Sequence, residues 1–281
     1  MGDILIVDDE RDIRELIGDI LEDEGFATRL AGNSNEAMAE VNTEPPALMI
    51  LDIWLKDSRM DGIDILKTVK RDNPGIPVVI IDSALTDGAK GTYQAFLSTD
   101  NCAAGEEVAK RMIDEAGTEG KVAVMSYVAG VGSEIGRVGC FSDYLTANSD
   151  LEIVGPYYSQ SQMAQALNQT TDILASNPDL VGIFGANEPT AVGMGRAIMQ
   201  AGKAGQLVAL GFDGNEDLQQ FVREGLMEAT AVQGSFAMGE KGVNAIIDIL
   251  GGEKVEPFIN TGVVLVDQEN IDSDQAKNVL Y

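Results

Sequence analysis

A short apolar run, Ile4 to Val7, is followed at once by Asp8, Asp9 and Glu10. Adjacent carboxylates repel, so a fold that holds such a cluster still needs a cation or water beside it. Another carboxylate, Asp52, ends the run Leu48-Met49-Ile50-Leu51. If the two runs are parallel strands of one sheet, their carboxyl ends share the edge where ligands of open α/β sheets sit. Asp8, Asp9 and Asp52 are then expected to converge. Three oxygen-bearing groups at one point suit a hard divalent ion such as Mg²⁺, which keeps several of its waters. Taken singly, each Asp is only a strand end or a helix cap, Asp9 being a reasonable N-cap. The combination is what points to a metal.

A second set of polar residues follows later apolar runs. Asn187 comes after Val181 to Gly185, Asp213 after Leu207 to Phe212, and Gln233 ends Ala229 to Val232. One such residue is usually a cap or turn former, but three in succession suit a hydroxyl-rich ligand. Arg137 adds a planar donor able to make paired hydrogen bonds. No histidine occurs, which removes Ser-His-Asp and Cys-His catalysis from consideration. Cys102 and Cys140 lie in unrelated settings without metal or redox spacing and are expected to be buried free thiols.

Short apolar runs alternate with helix-period segments along the whole chain, the pattern of βα units around parallel sheets, so the fold class is α/β. Strands are expected at Ile4 to Val7, Phe26 to Ala31, Ala47 to Leu51 and Val78 to Ile81. The helices between them, Asp12 to Asp23, Ser34 to Val41 and Gly62 to Asn73, each carry one face to bury. Asp82 to Gly91 reads as a loop before a short strand near Phe96. A second α/β series then runs to an extended piece at Gly262 to Val266. The 281 residues carry 46 acidic and 19 basic side chains, a formal charge of -27, which repels phosphate backbones and anionic membranes. Nucleic acid and membrane are therefore not expected as partners. Neither a leader nor a spanning run is read at the start, which makes cytoplasmic localisation the expectation for the chain as given.

The run ILIVDDERDIRELI, with LMILDIWLKDSRMDGIDIL and NPGIPVVII, resembles a response-regulator receiver domain of the NtrX type over about residues 1–81. The resemblance implies that Asp8, Asp9 and Asp52 hold Mg²⁺ and that Asp52 accepts a phosphoryl group from a histidine kinase. The match then stops. Receivers have Ser or Thr at the end of the fourth strand and Lys at the end of the fifth. Position 82 is Asp, and no such Lys follows. Phosphorylation of Asp52 is thus expected to be impaired, since an extra carboxylate repels phosphate.

From about Val78 onward the stretches GIPVVIIDSA, STDNCAAGEEVAKRMID, EIGRVGCFSDYL, DLVGIFGANEPTAVGMGRAI, LVALGFDGNEDL and ATAVQGSFAMGEKGVNAI resemble periplasmic sugar-binding proteins of ABC importers, especially the ribose type. That resemblance implies two α/β lobes of a type I binding protein closing on a sugar. Asp82, Arg137, Asn187, Asp213 and Gln233 would then bond its hydroxyls. The family's aromatic, Asn-containing loop after the first strand is replaced by Asp8, Asp9, Glu10 and Arg11. Ser83 stands where ribose binders often have Arg, and Tyr157 and Tyr158 lie near an expected stacking ring.

Both resemblances imply doubly wound sheets ordered 2-1-3-4-5, so a receiver fragment can stand in for part of a lobe, with a seam inside residues 75–83. Lobe 1 is expected to comprise 1–99 plus about 234–262, and lobe 2 to comprise 100–233 plus about 263–281. The reading is an engineered chimeric scaffold without enzymatic turnover, with weakened sugar affinity and a residual Mg²⁺ pocket. A phosphorelay receiver acting through Asp52 and a working sugar-binding protein are the alternatives. The parent families imply a histidine kinase and an ABC permease, neither expected to be engaged.

Overall fold

The computed structural model describes residues 3–84 and 93–281. It divides into two compact units, Met1–Ile76 and Pro77–Tyr281.

The first unit alternates β1 (Ile4–Val7), α1 (Arg11–Asp23), β2 (Thr28–Ala31), α2 (Ser34–Thr43), β3 (Leu48–Leu51) and α3 (Gly62–Asp72). Its strands pair in parallel in the order β2-β1-β3, the first three positions of the expected winding. β1 is buried along its whole length, as a central parallel strand must be when both faces are covered. Leu5, Val7, Ala37, Val41, Ile65 and Val69 form the core. Asn33 and Asp61 accept backbone N–H groups at the starts of α2 and α3, satisfying donors the helices cannot. α1 departs from expectation. Of its residues only Gly18 is buried, while Ile13, Leu16 and Ile20 are exposed. The helix meets the sheet through Gly18, where an added Cβ would lie 3.3 Å from Leu30.

The second unit holds two sheets. β4 (Val79–Ile81) and β11 (Phe258–Asn260) flank β5 (Ala95–Ser98) in a parallel three-stranded sheet, against which α9 (Ser235–Leu250) packs. The larger sheet has the order β12-β10-β9-β8-β6-β7. It comprises β6 (Glu119–Ser126), β7 (Asp150–Tyr158), β8 (Leu180–Gly185), β9 (Val208–Phe212), β10 (Ala229–Gln233) and the antiparallel β12 (Val263–Asp267). Counted from β6, its parallel part is the expected 2-1-3-4-5. Its two faces are covered by separate apolar clusters, one centred on Ile183, Met194 and Val222 and the other on Phe141, Phe184 and Phe212. The helices are α4 (Asn101–Ala116), α5 (Gly132–Asn148), α6 (Met163–Ser176), α7 (Glu188–Gln200), α8 (Glu216–Arg223) and the short α10 (Asp274–Lys277).

Neither β11 nor α10 stands out in the sequence. β11 is a three-residue strand and α10 is a single turn. The loop expected over Asp82 to Gly91 falls mostly outside the described residues. The chain passes between the two sheets around Thr99, Gly234 and Thr261, where Gly234 leaves no room for a side chain, because a Cβ would lie 2.4 Å from the Thr261 carbonyl.

The free-thiol expectation is corrected. Cys102 and Cys140 form a disulfide, with Cα atoms 5.1 Å apart across α4 and α5. Their separation of 38 residues hides the pairing in the sequence, because only the packing of the two helices brings them together.

Candidate functional site

In the second unit the loops at the carboxyl ends of the strands supply the site. Asp82 follows β4, Asn187 caps α7 after β8, Asp213 follows β9, Gln233 ends β10, and Arg137 projects from α5. All of them line one cavity of about 280 Å³. Asp82 and Asp213 turn the chain with φ of +63° and +76°. That left-handed conformation is unfavourable for most side chains and least so for Asn and Asp, and such strain gathers at ligand sites.

The polar groups are already organised by one another. Asp213 accepts from the Glu188 N–H at 2.9 Å and from Gln233 Nε2 at 2.8 Å. Gln233 accepts in turn from Thr99 Oγ1 at 3.0 Å. Asn187 spends its oxygen on the start of α7 and donates to Ser161 Oγ at 3.1 Å. Ser83 Oγ donates to Asp82 at 2.9 Å.

Arg137 is buried. Its guanidinium stacks 3.3 Å from the Phe212 ring centre and donates to the Ala186 carbonyl at 2.6 Å. Burial pulls its pKa down from the usual arginine value, opposed by Tyr127, Asp213 and Asp82, and a guanidinium stays protonated in proteins. Burial likewise pushes the Asp213 carboxyl up, with Arg137 and the Gln233 bond acting against it.

One contributor was not anticipated from the sequence. Tyr127 lines the cavity with its hydroxyl donating to Ser133 Oγ at 2.8 Å, and burial raises its phenol pKa. Tyr157 and Tyr158, which lie near the expected stacking ring in sequence, are not among the lining residues described. Tyr157 packs on the apolar cluster beneath the sheet. Tyr127 belongs to the sequence continuing β6, so a strand end should have drawn attention to it.

In the first unit Asp8 follows β1 and Asp52 follows β3, which are paired neighbours. Gly62 lets α3 begin directly against this edge, since a Cβ there would sit 2.0 Å from the Asp52 carbonyl. Burial raises the Asp52 pKa, and the Asp8 and Asp9 charges add to the rise. Among the described residues no group of three acidic side chains is placed to hold a metal ion. The carboxylates are turned to local partners. Asp8 accepts from the Glu10 N–H at 2.7 Å and Asp52 from the Trp54 N–H at 3.2 Å, while Lys56 Nζ lies 3.9 Å from Asp9. Lys56 was not anticipated, and its exposed ammonium also lies 3.3 Å from Glu10. The all-oxygen donor set nevertheless fits Mg²⁺, which needs only one or two carboxylates beside its waters.

A model of the periplasmic binding protein domain matches residues 64–254. The chain belongs to that family. Residues 4–95 also match the response regulator receiver domain, so the two matches overlap over 64–95. The chain is accordingly a chimera of receiver and sugar-binding sequence, and as a member of the periplasmic-binding-protein family it has a full-length structural counterpart. An ABC transporter solute binding protein from Agrobacterium vitis, solved with bound D-fucose, matches with a TM-score of 0.82 and 54% identity over 100% of both chains. The D-allose-binding periplasmic protein of Escherichia coli K12 is 32% identical over 60% of this chain and 55% of its own length. A putative NtrX-like response regulator of Rickettsia bellii is 51% identical over 28% of this chain and 16% of its own. The chain thus spans less than two thirds of the length of these curated relatives. Among the described residues no helix is long and apolar enough to cross a membrane.

Proposed function

We propose that this chain is a non-enzymatic carbohydrate-binding protein whose cavity takes a single monosaccharide. The observation that carries the reading is the convergence of Asp82, Arg137, Asn187, Asp213 and Gln233 on one cavity of about 280 Å³. That volume lies just below the usual range of ligand cavities, about 300 to 1,000 Å³, and suits a small ligand. Carboxylates that accept, amides that do both and a guanidinium that donates are the complement of neighbouring sugar hydroxyls, and Tyr127 offers an aromatic wall.

Affinity is read as weakened, because the aromatic, Asn-containing loop of the sugar-binding family is replaced here by Asp8, Asp9, Glu10 and Arg11. Each lost hydrogen bond costs on the order of 1 kcal/mol. The join between two families that share one winding is read as engineered exchange. The Cys102–Cys140 disulfide favours an oxidising setting, in keeping with a periplasmic parent. Histidine kinase and ABC permease are not engaged in this reading. Calorimetry with D-fucose, D-allose and a panel of pentoses and hexoses tests it. Heats that saturate at millimolar or high-micromolar sugar are expected, and no heat with any sugar would sink the proposal.

The raised pKa of Asp52 favours a second role, a Mg²⁺ pocket on Asp8 and Asp52. A divalent ion beside them would relieve the like-charge crowding. Phosphoryl transfer to Asp52 is the competing use of the same group. Acetyl phosphate followed by intact mass is expected to give little adduct, and a full phosphoryl adduct absent from Asp52→Asn would favour the signalling role instead.

A further inference from the structure

Arg137 is the only cation among the described residues lining the cavity, and its orientation is set from behind by a residue outside the lining. Asn101, the first residue of α4, accepts through Oδ1 from both Arg137 Nε at 3.1 Å and Arg137 Nη2 at 2.8 Å. The Asn101 amide is itself held, its Nδ2 donating to the Thr99 carbonyl at 3.1 Å. With the Ala186 carbonyl on Nη1, three of the five guanidinium N–H groups are engaged, and Phe212 lies against its face. One N–H on each Nη is left without a partner among the described residues, two donors available to sugar hydroxyls.

The helices that carry the pair meet at close range. An added Cβ on Gly105 would lie 2.2 Å from the Arg137 carbonyl, and one on Gly136 would lie 3.2 Å from the Asn101 Cβ. The disulfide closes the same crossing, since Cys102 follows Asn101 directly and Cys140 lies about one helical turn after Arg137.

We propose that Asn101 is a positioning residue for sugar binding, fixing the plane of the Arg137 guanidinium, and that the Cys102–Cys140 bridge holds the two helices in the register this requires. The proposal rests on the carbohydrate reading of the cavity. Only a rigidly placed guanidinium keeps its unspent N–H groups aimed without an ordering cost on binding.

The test uses the full chain, with the Arg137 Nε–H resonance as reporter, assigned through Arg137→Lys, and calorimetry with D-fucose alongside. In the wild type the resonance is expected to be resolved and slow to exchange with water. Asn101→Leu should shift it and speed its exchange, and should weaken sugar binding about tenfold. Asn101→Asp keeps the acceptor and is expected to restore both. The double variant Cys102→Ser/Cys140→Ser should show partial loss of protection at Arg137 and carries the test if Asn101→Leu does not fold. An unmoved Arg137 resonance in a folded Asn101→Leu chain would overturn the proposal, as would a variant that lowers only the melting temperature. Absence of sugar binding in the wild type would defeat the carbohydrate reading, while the resonance would still decide the positioning role.

Discussion

The two units place carboxylates in the same architectural position, just past the carboxyl ends of parallel strands, yet give them different company. Asp213 follows β9 and is met by the Glu188 N–H, by Gln233 and by the positive field of Arg137. Asp52 follows β3, and its carboxyl charge meets burial and the like charges of Asp8 and Asp9. In the first case burial also raises the carboxyl, but Arg137, Gln233 and the Glu188 N–H all act against the rise and orient the group towards the cavity. In the second the acids are crowded, and the cation at hand, Lys56, is exposed and turned to Asp9 and Glu10. A sheet edge alone therefore does not make a site. The neighbouring side chains decide whether a carboxylate is an asset or a strain.

The largest expected effect bears on what keeps the cavity side organised. Cys102→Ser/Cys140→Ser opens a loop spanning a separation of 38 residues. Chain-entropy reasoning puts the loss on the order of 4 kcal/mol. Denaturant unfolding should show it, with amide-exchange protection in α4 and α5 lost first. An unchanged midpoint would mean that apolar packing alone holds the crossing, and the contrast between the units would owe nothing to the bridge.

Next in size is Arg137→Met, which keeps the packing against Phe212 but removes the cation. Hydrogen bonds to a charged group are worth about 1.5 to 3 kcal/mol. Sugar affinity in calorimetry should therefore fall roughly ten- to hundredfold. The Asp213 carboxyl should also rise further, since the charge that opposes its burial is gone. A variant with undiminished affinity would show that the acids and amides bind alone, and that the contrast in company does not decide binding.

Much of this contrast was legible in the sequence, and the part that was not has a physical cause. Strand ends announce themselves, so Asn187, Asp213 and Gln233 can be named from apolar runs and the polar residues that follow, whereas Asp82 is named only through the resemblance to sugar-binding proteins. Whether such residues meet donors or other acids depends on helix crossings and loop paths, which have no period to read. Asn101 looks like an ordinary helix start, and its bond to Arg137 exists only because Gly105 and Gly136 let α4 and α5 approach. The disulfide was missed for the same reason. The amphipathic pattern of α1 was read correctly as a helix, but the pattern cannot say which apolar residues find a partner. Gly18 is buried while Leu16 is exposed. Convergence of three aspartates was inferred from strand adjacency, which holds for β1 and β3, while the local N–H groups that Asp8 and Asp52 accept from have no sequence signal.

The smallest expected effect concerns the crowded edge itself. The Asp52 pKa lies above its ordinary value in the fold, through burial first and the charge of Asp8 second. Folding therefore takes up protons at this group. The stability that a protonated Asp52 contributes is fully present below the unfolded carboxyl pKa of about 4, and is lost as pH rises through the folded-state value. At pH 7 the ionised group counts against the fold, and Asp52→Asn should melt slightly higher than the wild type. That gain should fade as pH approaches about 4, where both chains carry a neutral group. Mg²⁺ should raise the melting temperature of the wild type at pH 7 and leave Asp52→Asn unmoved. Trp54, largely exposed beside the Asp52 turn at 79%, should report the ion through saturable fluorescence quenching. A melting temperature that Asp52→Asn leaves unchanged at every pH would mean that solvent already relieves the crowding, and the difference between the two carboxylate edges would then lie in geometry rather than in charge.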